Sequence, residues 1–242
     1  MSQPTLGPIT VHSFAPAWGI PVPTCSPFGL KLITWLKMYE VPHTMVAAND
    51  PRKGPKGKCP WIEIDGRTIG DSELILELLK ARVGRDLDSG LTAEQKATAL
   101  AVRRMFDEHY HQVWEHQLFI DDAAWVRGQE FFNAALPPVV RVLVRNLIRH
   151  DLRKQLHARG VGRHKDADII RMGVADLDAT AALLGDKQYF FGDAPTDIDA
   201  TVFAFLALTR YTPSPSPLWS HFRGLTNLTA YCDRVLERYF KP

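Results

Sequence analysis

The chain has 242 residues, 45% of them apolar, enough to bury a substantial core as one large domain or, the better reading, two small ones. A formal net charge of +2 is too small to argue for nucleic acid or an anionic membrane as a partner. Cys25, Cys59 and Cys232 form neither a disulfide framework nor a zinc pattern, the N-terminus lacks a signal peptide's basic segment and apolar core, and no run reaches the roughly 18 apolar residues of a membrane span, so the expectation is a soluble cytoplasmic protein with reduced thiols.

In chain order, a strand-like run from Ile9 to Phe14 leads through a Pro/Gly-rich loop to Ser26, an N-cap with Pro27 at the first helical position of a helix running to about Glu40. A strand from His43 to Ala47, a basic loop, a strand from Trp61 to Ile64, a turn at Asp65-Gly66, a strand at Thr68-Ile69 and a helix from Ser72 to Arg82 complete a small α/β unit. The polar, glycine-punctuated segment 84–91 reads as a linker between an α/β domain (1–83) and an all-helical domain (92–242). Helical periodicity then covers Ala93 to about Trp125, Gly128 to Arg159 with a break at Pro137-Pro138, Asp166 to Leu184, Ile198 to Leu208 and Leu225 to Tyr239. Thr196 and Asp199 form a capping box at the head of an apolar helix, and Pro213, Pro215 and Pro217 mark a loop before the last one.

Three short motifs carry chemistry. The helix starting after Ser26 presents free N–H groups and a positive dipole end to any anion placed there, such as a thiolate. Cys59-Pro60 precedes a strand, and an X-Pro bond there is able to be cis, turning the Cys59 backbone toward a ligand; the plain alternative is a proline at a strand start. Asp71-Ser72 opens another helix, either as a cap alone or as a site for an ammonium and a carboxylate.

Ser26-Pro27-Phe28, Cys59-Pro60-Trp61 and Gly70-Asp71-Ser72 together resemble the glutathione transferase superfamily, in which a Ser or Cys at a helix start, a cis-proline and an acidic-Ser pair build the glutathione site. The match is closer to the bacterial branch related to failed axon connections and metaxin proteins, whose Pro-x-x-Ser-Pro-Phe-Cys-x-Lys pattern corresponds to Pro23 through Lys31, with Gly29 replacing the cysteine. It continues through Lys56-Gly57-Lys58, Gly162-Arg163-His164, Gly192-Asp193-Ala194-Pro195 and Asn227. The resemblance implies a thioredoxin-like N-terminal domain followed by a C-terminal helical bundle, commonly dimeric, with glutathione as co-substrate and no metal.

On that resemblance Asp71 receives the γ-glutamyl ammonium, Ser72 its carboxylate, the Cys59 backbone beside Pro60 pairs with the cysteinyl part, and Lys58 attracts the glycyl carboxylate. Ser26 aligns with the residue that activates the thiol; Cys25, one position earlier, is either the alternative, bringing peroxidase or lyase chemistry through a mixed disulfide, or a small buried hydrophobe. With Gly29 in place of cysteine there is no Cys-x-x-Cys pair for a dithiol cycle. The second substrate, a small apolar electrophile, is expected against the helix from Glu108 to His116, with His109 and Trp114 as contacts; His111 and Glu115, at i,i+4, share a face that is either solvated or part of the pocket. The rival to an enzyme is an interaction module of the same fold with a degenerate site.

Overall fold

The structure, a computed structural model, describes residues 6–241; the ends of the two expected domains, 1–5 and 242, lie outside the described residues. Strands β1 (Ile9–Ser13), β2 (His43–Ala47), β3 (Trp61–Ile64) and β4 (Arg67–Gly70) form one sheet in the order β2-β1-β3-β4. β1 and β2 are parallel, so the chain must cross over between them, and helix α1 (Pro27–Met38) is that crossover. β3 and β4 form a hairpin whose two loop residues, Asp65 and Gly66, both take positive φ, 50° and 70°, as a right-twisted two-residue turn requires. The longer β2–β3 connection contains only a 3-10 turn, Pro51–Lys53, capped by Asp50. Helix α2 (Ser72–Val83) follows β4 directly. Ile9 and Val11 of β1 and Ile62 and Ile64 of β3 are buried with Leu32, Ile33 and Leu36 of α1 and Ile75 and Leu79 of α2 in one apolar cluster, the core of this unit.

Beyond it the described chain is helical. α3 (Ala93–Arg104) opens with a capping box between Thr92 and Gln95. The expected single helix from Ala93 to Trp125 is instead a composite. A π-helical segment, Met105–Tyr110, leads to α4 (His111–Glu115), and a second π segment, His116–Ile120, ends where Asp121 turns extended at ψ 132°. α5 (Trp125–Ala135) and α6 (Arg141–Arg159) straddle the expected break at Pro137-Pro138, and α7 (Asp166–Leu184) follows.

α8 (Asp197–Tyr211) is buried at every position from Ile198 to Thr209, so helices surround it on all sides. Its capping box is present: Thr196 donates to Asp199 through both its N–H (2.8 Å) and its hydroxyl (3.0 Å), and burial pushes the Asp199 carboxyl up to about 6. α1 packs along α8, with Phe28 edge-on to Phe205 at 5.6 Å, and this contact joins the sheet unit to the bundle. Ser216-Pro217 starts a helix, α9 (Pro217–Gly224), where a loop was expected; the Ser216 hydroxyl accepts from Leu218 N (3.2 Å), so it is a Ser-Pro start of the kind that opens α1. α10 (Thr226–Phe240) closes the described chain.

Candidate active site

Ser26 stands at the N-cap of α1 with extended backbone, and its hydroxyl oxygen accepts from Gly29 N at 3.2 Å. That bond uses a lone pair and leaves the hydroxyl hydrogen free to donate. Ser26 N is taken up by Thr24 Oγ1 (3.1 Å), which is 2.9 Å from Ser13 Oγ at the end of β1. The first turn of α1 carries no acidic residue to oppose an anion. A hydroxyl proton not used within the helix and a helix N-terminus thus converge on one spot.

The sulfur atoms are placed differently from the expectation. Cys25 is buried in the apolar cluster of the helical bundle beside Leu30, and burial pushes its thiol up to about 12. This corrects the reading of Cys25 as a reactive thiolate: the residue before the N-cap turns its side chain into the core, where desolvation outweighs the helix field. Cys59 is the cysteine that faces Ser26. Its sulfur lies 3.5 Å from Ser13 Oγ, and burial raises its thiol against the opposing hydrogen bonds of Ser13, the Phe14 backbone and Ser26.

The glycine at position 29 has a steric reason. A Cβ built there would meet Ser13 Oγ at 1.9 Å and Ser13 Cβ at 3.0 Å, so the residue that replaces the related branch's cysteine lets β1 approach α1 closely. Ser13 and Thr24 were not foreseen as part of this site. The signal was a serine at an inward position of a strand whose other inward residues, Ile9 and Val11, are apolar.

The Cys59–Pro60 bond is cis, and β3 starts at the next residue. Lys58 is exposed beside it. Asp71 caps α2 through Oδ1, which accepts from Glu73 N at 3.1 Å, while Oδ2 is 3.3 Å from Lys56 Nζ in an exposed pair that an incoming ammonium is able to replace. Asp71 does this at φ 87°, a conformation an L-residue rarely adopts, and such strain concentrates where a side chain must be aimed. Ser72 is the first residue of α2 and is buried. Ser26, Cys59, Pro60, Asp71 and Ser72 therefore all belong to the ends of elements in the sheet unit: two helix starts and a strand start.

Across from α1 stands the π-interrupted helix. The His111 ring is edge-on to Phe28 at 4.8 Å, two residues past Ser26. Burial holds the His111 imidazole down at about 3, with Arg159 and Lys58 adding to the shift, so it is neutral at physiological pH. Burial pushes the Glu115 carboxyl up, while the same two cations pull it back. Arg159 of the bundle and Lys58 of the sheet unit thus both act through charge on His111 and Glu115. An aromatic cluster centres on Phe131, which packs against Phe14 (6.2 Å), Trp18 (5.6 Å) and Phe119 (6.1 Å). Phe14 follows β1 directly, so this apolar wall adjoins the Ser13–Ser26 spot.

Two expected contacts are corrected. His109 faces α7, with Nδ1 2.6 Å from Asp176 Oδ2, and Trp114 is buried in the bundle. The π segment adds a residue to the turn and rotates the helix, so His111 faces α1 while His109 faces α7.

Two charged clusters brace these parts. Lys31, fully buried on α1, is 2.6 Å from Glu73 of α2 and 2.8 Å from Asp107 of the first π segment, and Arg103 joins at 3.1 Å from Glu73. Asp86, Asp88 and Asp197 bring carboxylates close enough to suit a metal, and Lys80 Nζ lies 2.9, 3.0 and 2.6 Å from them, offsetting one of the three charges.

Comparison with known proteins gives this geometry a lineage. Residues 27–124 match the family model of the glutathione S-transferase N-terminal domain, and 173–235 that of the glutathione S-transferase C-terminal domain. The chain is 31% identical to isoprene-epoxide glutathione S-transferase of Rhodococcus sp. (strain AD45), over 96% of its own length and 99% of the relative's. It is 30% identical to Failed axon connections of Drosophila melanogaster, over 90% of the chain and 55% of that protein, and 28% identical to metaxin-1 of Mus musculus, over 96% and 75%. Among solved structures, the fold matches glutathione transferase GSTFuA3 from Phanerochaete chrysosporium with a TM-score of 0.66 at 15% identity, covering 98% of this chain and 100% of that one. It also matches the glutathione complex of CsGST63524 of Ceriporiopsis subvermispora with a TM-score of 0.66 at 18% identity, covering 97% and 98%. Both halves of the family are present, in order and over nearly the whole chain, so the protein belongs to the glutathione S-transferase family, in the part of it that includes the failed axon connections and metaxin proteins.

Proposed function

We propose that the protein binds glutathione along the sheet unit and adds its thiolate to a small electrophile held against the helical bundle. The observation that carries this reading is the hydroxyl of Ser26 at the N-terminus of α1, its oxygen occupied by Gly29 N and its proton within reach of a sulfur atom, here that of Cys59. Glutathione would extend from Asp71 and Ser72, past the Cys59 backbone, toward Lys58, which places its cysteinyl thiol near Ser26. The Ser26 hydrogen bond and the helix field favour the ionised thiol, whose proton leaves to solvent. The thiolate then forms a C–S bond with the electrophilic carbon as that carbon's bond to a leaving atom breaks, and the protein's contribution is activation and positioning. The similarity to an isoprene-epoxide transferase along its whole length supports an enzyme that takes a small, mostly apolar electrophile.

The similarity to Failed axon connections and metaxin-1 favours a second reading, a fold kept for contacts with other proteins. Calorimetric titration with glutathione separates the two. The enzyme reading expects saturable binding that Asp71→Ala weakens, and conjugation of a small electrophile that Ser26→Ala slows; no binding to the unaltered chain would leave the interaction module standing.

A further inference from the structure

One stretch of the surface departs from the usual scatter of single apolar side chains. Of the ten large apolar side chains exposed among the described residues, five, Val139, Val140, Val142, Leu143 and Leu147, gather at the head of α6. Val140 already takes helical backbone, so Val139, Leu143 and Leu147 follow one another at i,i+4 along one face with Val140 beside them. Val139 is 96% exposed, Leu143 65% and Leu147 58%, so the row projects into solvent as a ridge. Beyond Leu147 the same face changes character. Its next positions are His150, Lys154 and His157, with Arg153 at one edge, all of them exposed. α6 carries five arginines and one lysine against a single acid, Asp151, which accepts from Gln155 at 2.7 Å. Arg149 and Arg153 reach Asp122 and Arg159 reaches Glu115, whereas no carboxylate among the described residues pairs with Lys154. The net charge of +2 for the whole chain averages this asymmetry away.

An aliphatic ridge that runs on into exposed cations along one helix face is complementary to a surface that is anionic outside and apolar beneath. We propose that α6 docks on an anionic lipid bilayer, its Val139–Leu147 ridge entering the headgroup layer and Arg153 and Lys154 lying against lipid phosphates and carboxylates. The contact is peripheral, since no helix among the described residues is long and apolar enough to cross a membrane. A second copy of the chain fits less well, because a stable interface takes about 20–30 residues from each side and this ridge offers five aliphatic ones. A protein segment fits less well too, because it needs a groove, and a side chain as exposed as Val139 has no walls around it. The face shares no residue with the proposed glutathione site.

Flotation of the full chain with vesicles tests this, using phosphatidylcholine alone and a mixture containing phosphatidylserine. Binding is expected to the mixture, with little to phosphatidylcholine, and added salt should weaken it. Leu143→Asp with Leu147→Asp should abolish it. Arg153→Gln with Lys154→Gln should weaken it by about 25-fold, on the order of fivefold for each cation at an anionic surface. Leu183→Asp, at an exposed leucine of α7, should leave it unchanged. Denaturant titration checks that each variant folds, and the glutamine pair serves as the test if the aspartate pair does not. Absence of binding, equal binding to both vesicles, or binding that neither double variant reduces overturns the proposal. Self-association by light scattering that the aspartate pair abolishes, without vesicle binding, overturns it in favour of a second copy.

Discussion

The two walls of the cleft are built by different means. On the sheet side, each functional residue sits at the end of an element: Ser26 before α1, Cys59-Pro60 before β3, Asp71-Ser72 at the start of α2. Element ends leave backbone groups unpaired, so they bind a peptide-like ligand with little help from side-chain identity. On the bundle side, His111 and Glu115 lie in the middle of a helix whose backbone is fully engaged, and only side chains project. On the proposed reading the first wall takes one invariant tripeptide and the second varies with the electrophile. The two are joined by the buried Lys31 cluster and by the seam of Phe28 and Phe205.

Cutting that joint is expected to have the largest effect. Lys31 is the only cation within hydrogen-bonding distance of Asp107 among the described residues, and Asp107 Oδ1 already lacks a partner. Lys31→Met removes one side of a buried pair and should lower unfolding stability by about 3–5 kcal/mol, measured by denaturant titration. The loss should depend on pH. Burial already raises the Asp107 carboxyl, and without Lys31 it rises further. A carboxyl raised in the folded state stabilises at low pH and loses that contribution as pH increases through its folded value, so the deficit should be larger at pH 7 than at pH 5. A deficit that is the same at both would mean that Asp107 does not depend on Lys31.

Next is the close approach of β1 and α1. Gly29→Cys restores the related branch's residue but puts Cβ 1.9 Å from Ser13 Oγ, and overpacking of this kind costs about 1–3 kcal/mol. Ser13→Ala removes that oxygen and leaves Ser13 Cβ at 3.0 Å, so the double variant should recover part of the loss. Additive costs from the two changes would show that the two positions do not share the space.

What the sequence revealed follows the same division. The sheet side was legible because its signals are local: a Ser-Pro helix start, an X-Pro before a β-branched strand, an acidic-Ser helix cap. The bundle side was legible as helices but not as a site. Periodicity fixes a face only while the helix keeps 3.6 residues per turn, and the segment Met105–Tyr110 does not, so the residue that meets α1 is His111 and not His109. Cys25 stayed open between a thiolate and a buried hydrophobe for a related reason, since sequence gives adjacency to the N-cap but not which way the preceding side chain turns. α9 was missed because three alternating prolines outweighed the Ser216-Pro217 start.

Ser26→Ala probes the sheet wall by itself. It removes an N-cap, costing about 0.5–2 kcal/mol of stability, and a donor to the bound thiolate. Losing one hydrogen bond to a charged group, about 1.5–3 kcal/mol, should raise the thiol pKa of bound glutathione by about one to two units. Because that pKa rises, the ionised fraction at neutral pH falls and is recovered as pH increases, so turnover should drop near pH 7 and approach the unaltered rate in alkali. A rate reduced equally at every pH would assign Ser26 to folding alone.

The smallest expected effect separates the two cysteines that flank Ser26. Cys25→Ala should leave conjugation almost unchanged, because its thiol belongs to the bundle core and burial holds it protonated. Alkylation with peptide mapping reads the difference directly. Cys59, partly exposed and hydrogen-bonded toward Ser13 and Ser26, should label first, while Cys25 and the fully buried Cys232 should label only as the protein opens. Bound glutathione should protect Cys59, since the tripeptide runs along its backbone, and should slow the other two only as far as it stabilises the fold. If Cys25 labels before Cys59 and is the one protected, the sulfur nearest the bound thiol is Cys25, and the mixed-disulfide chemistry set aside on grounds of burial becomes the better account of this wall.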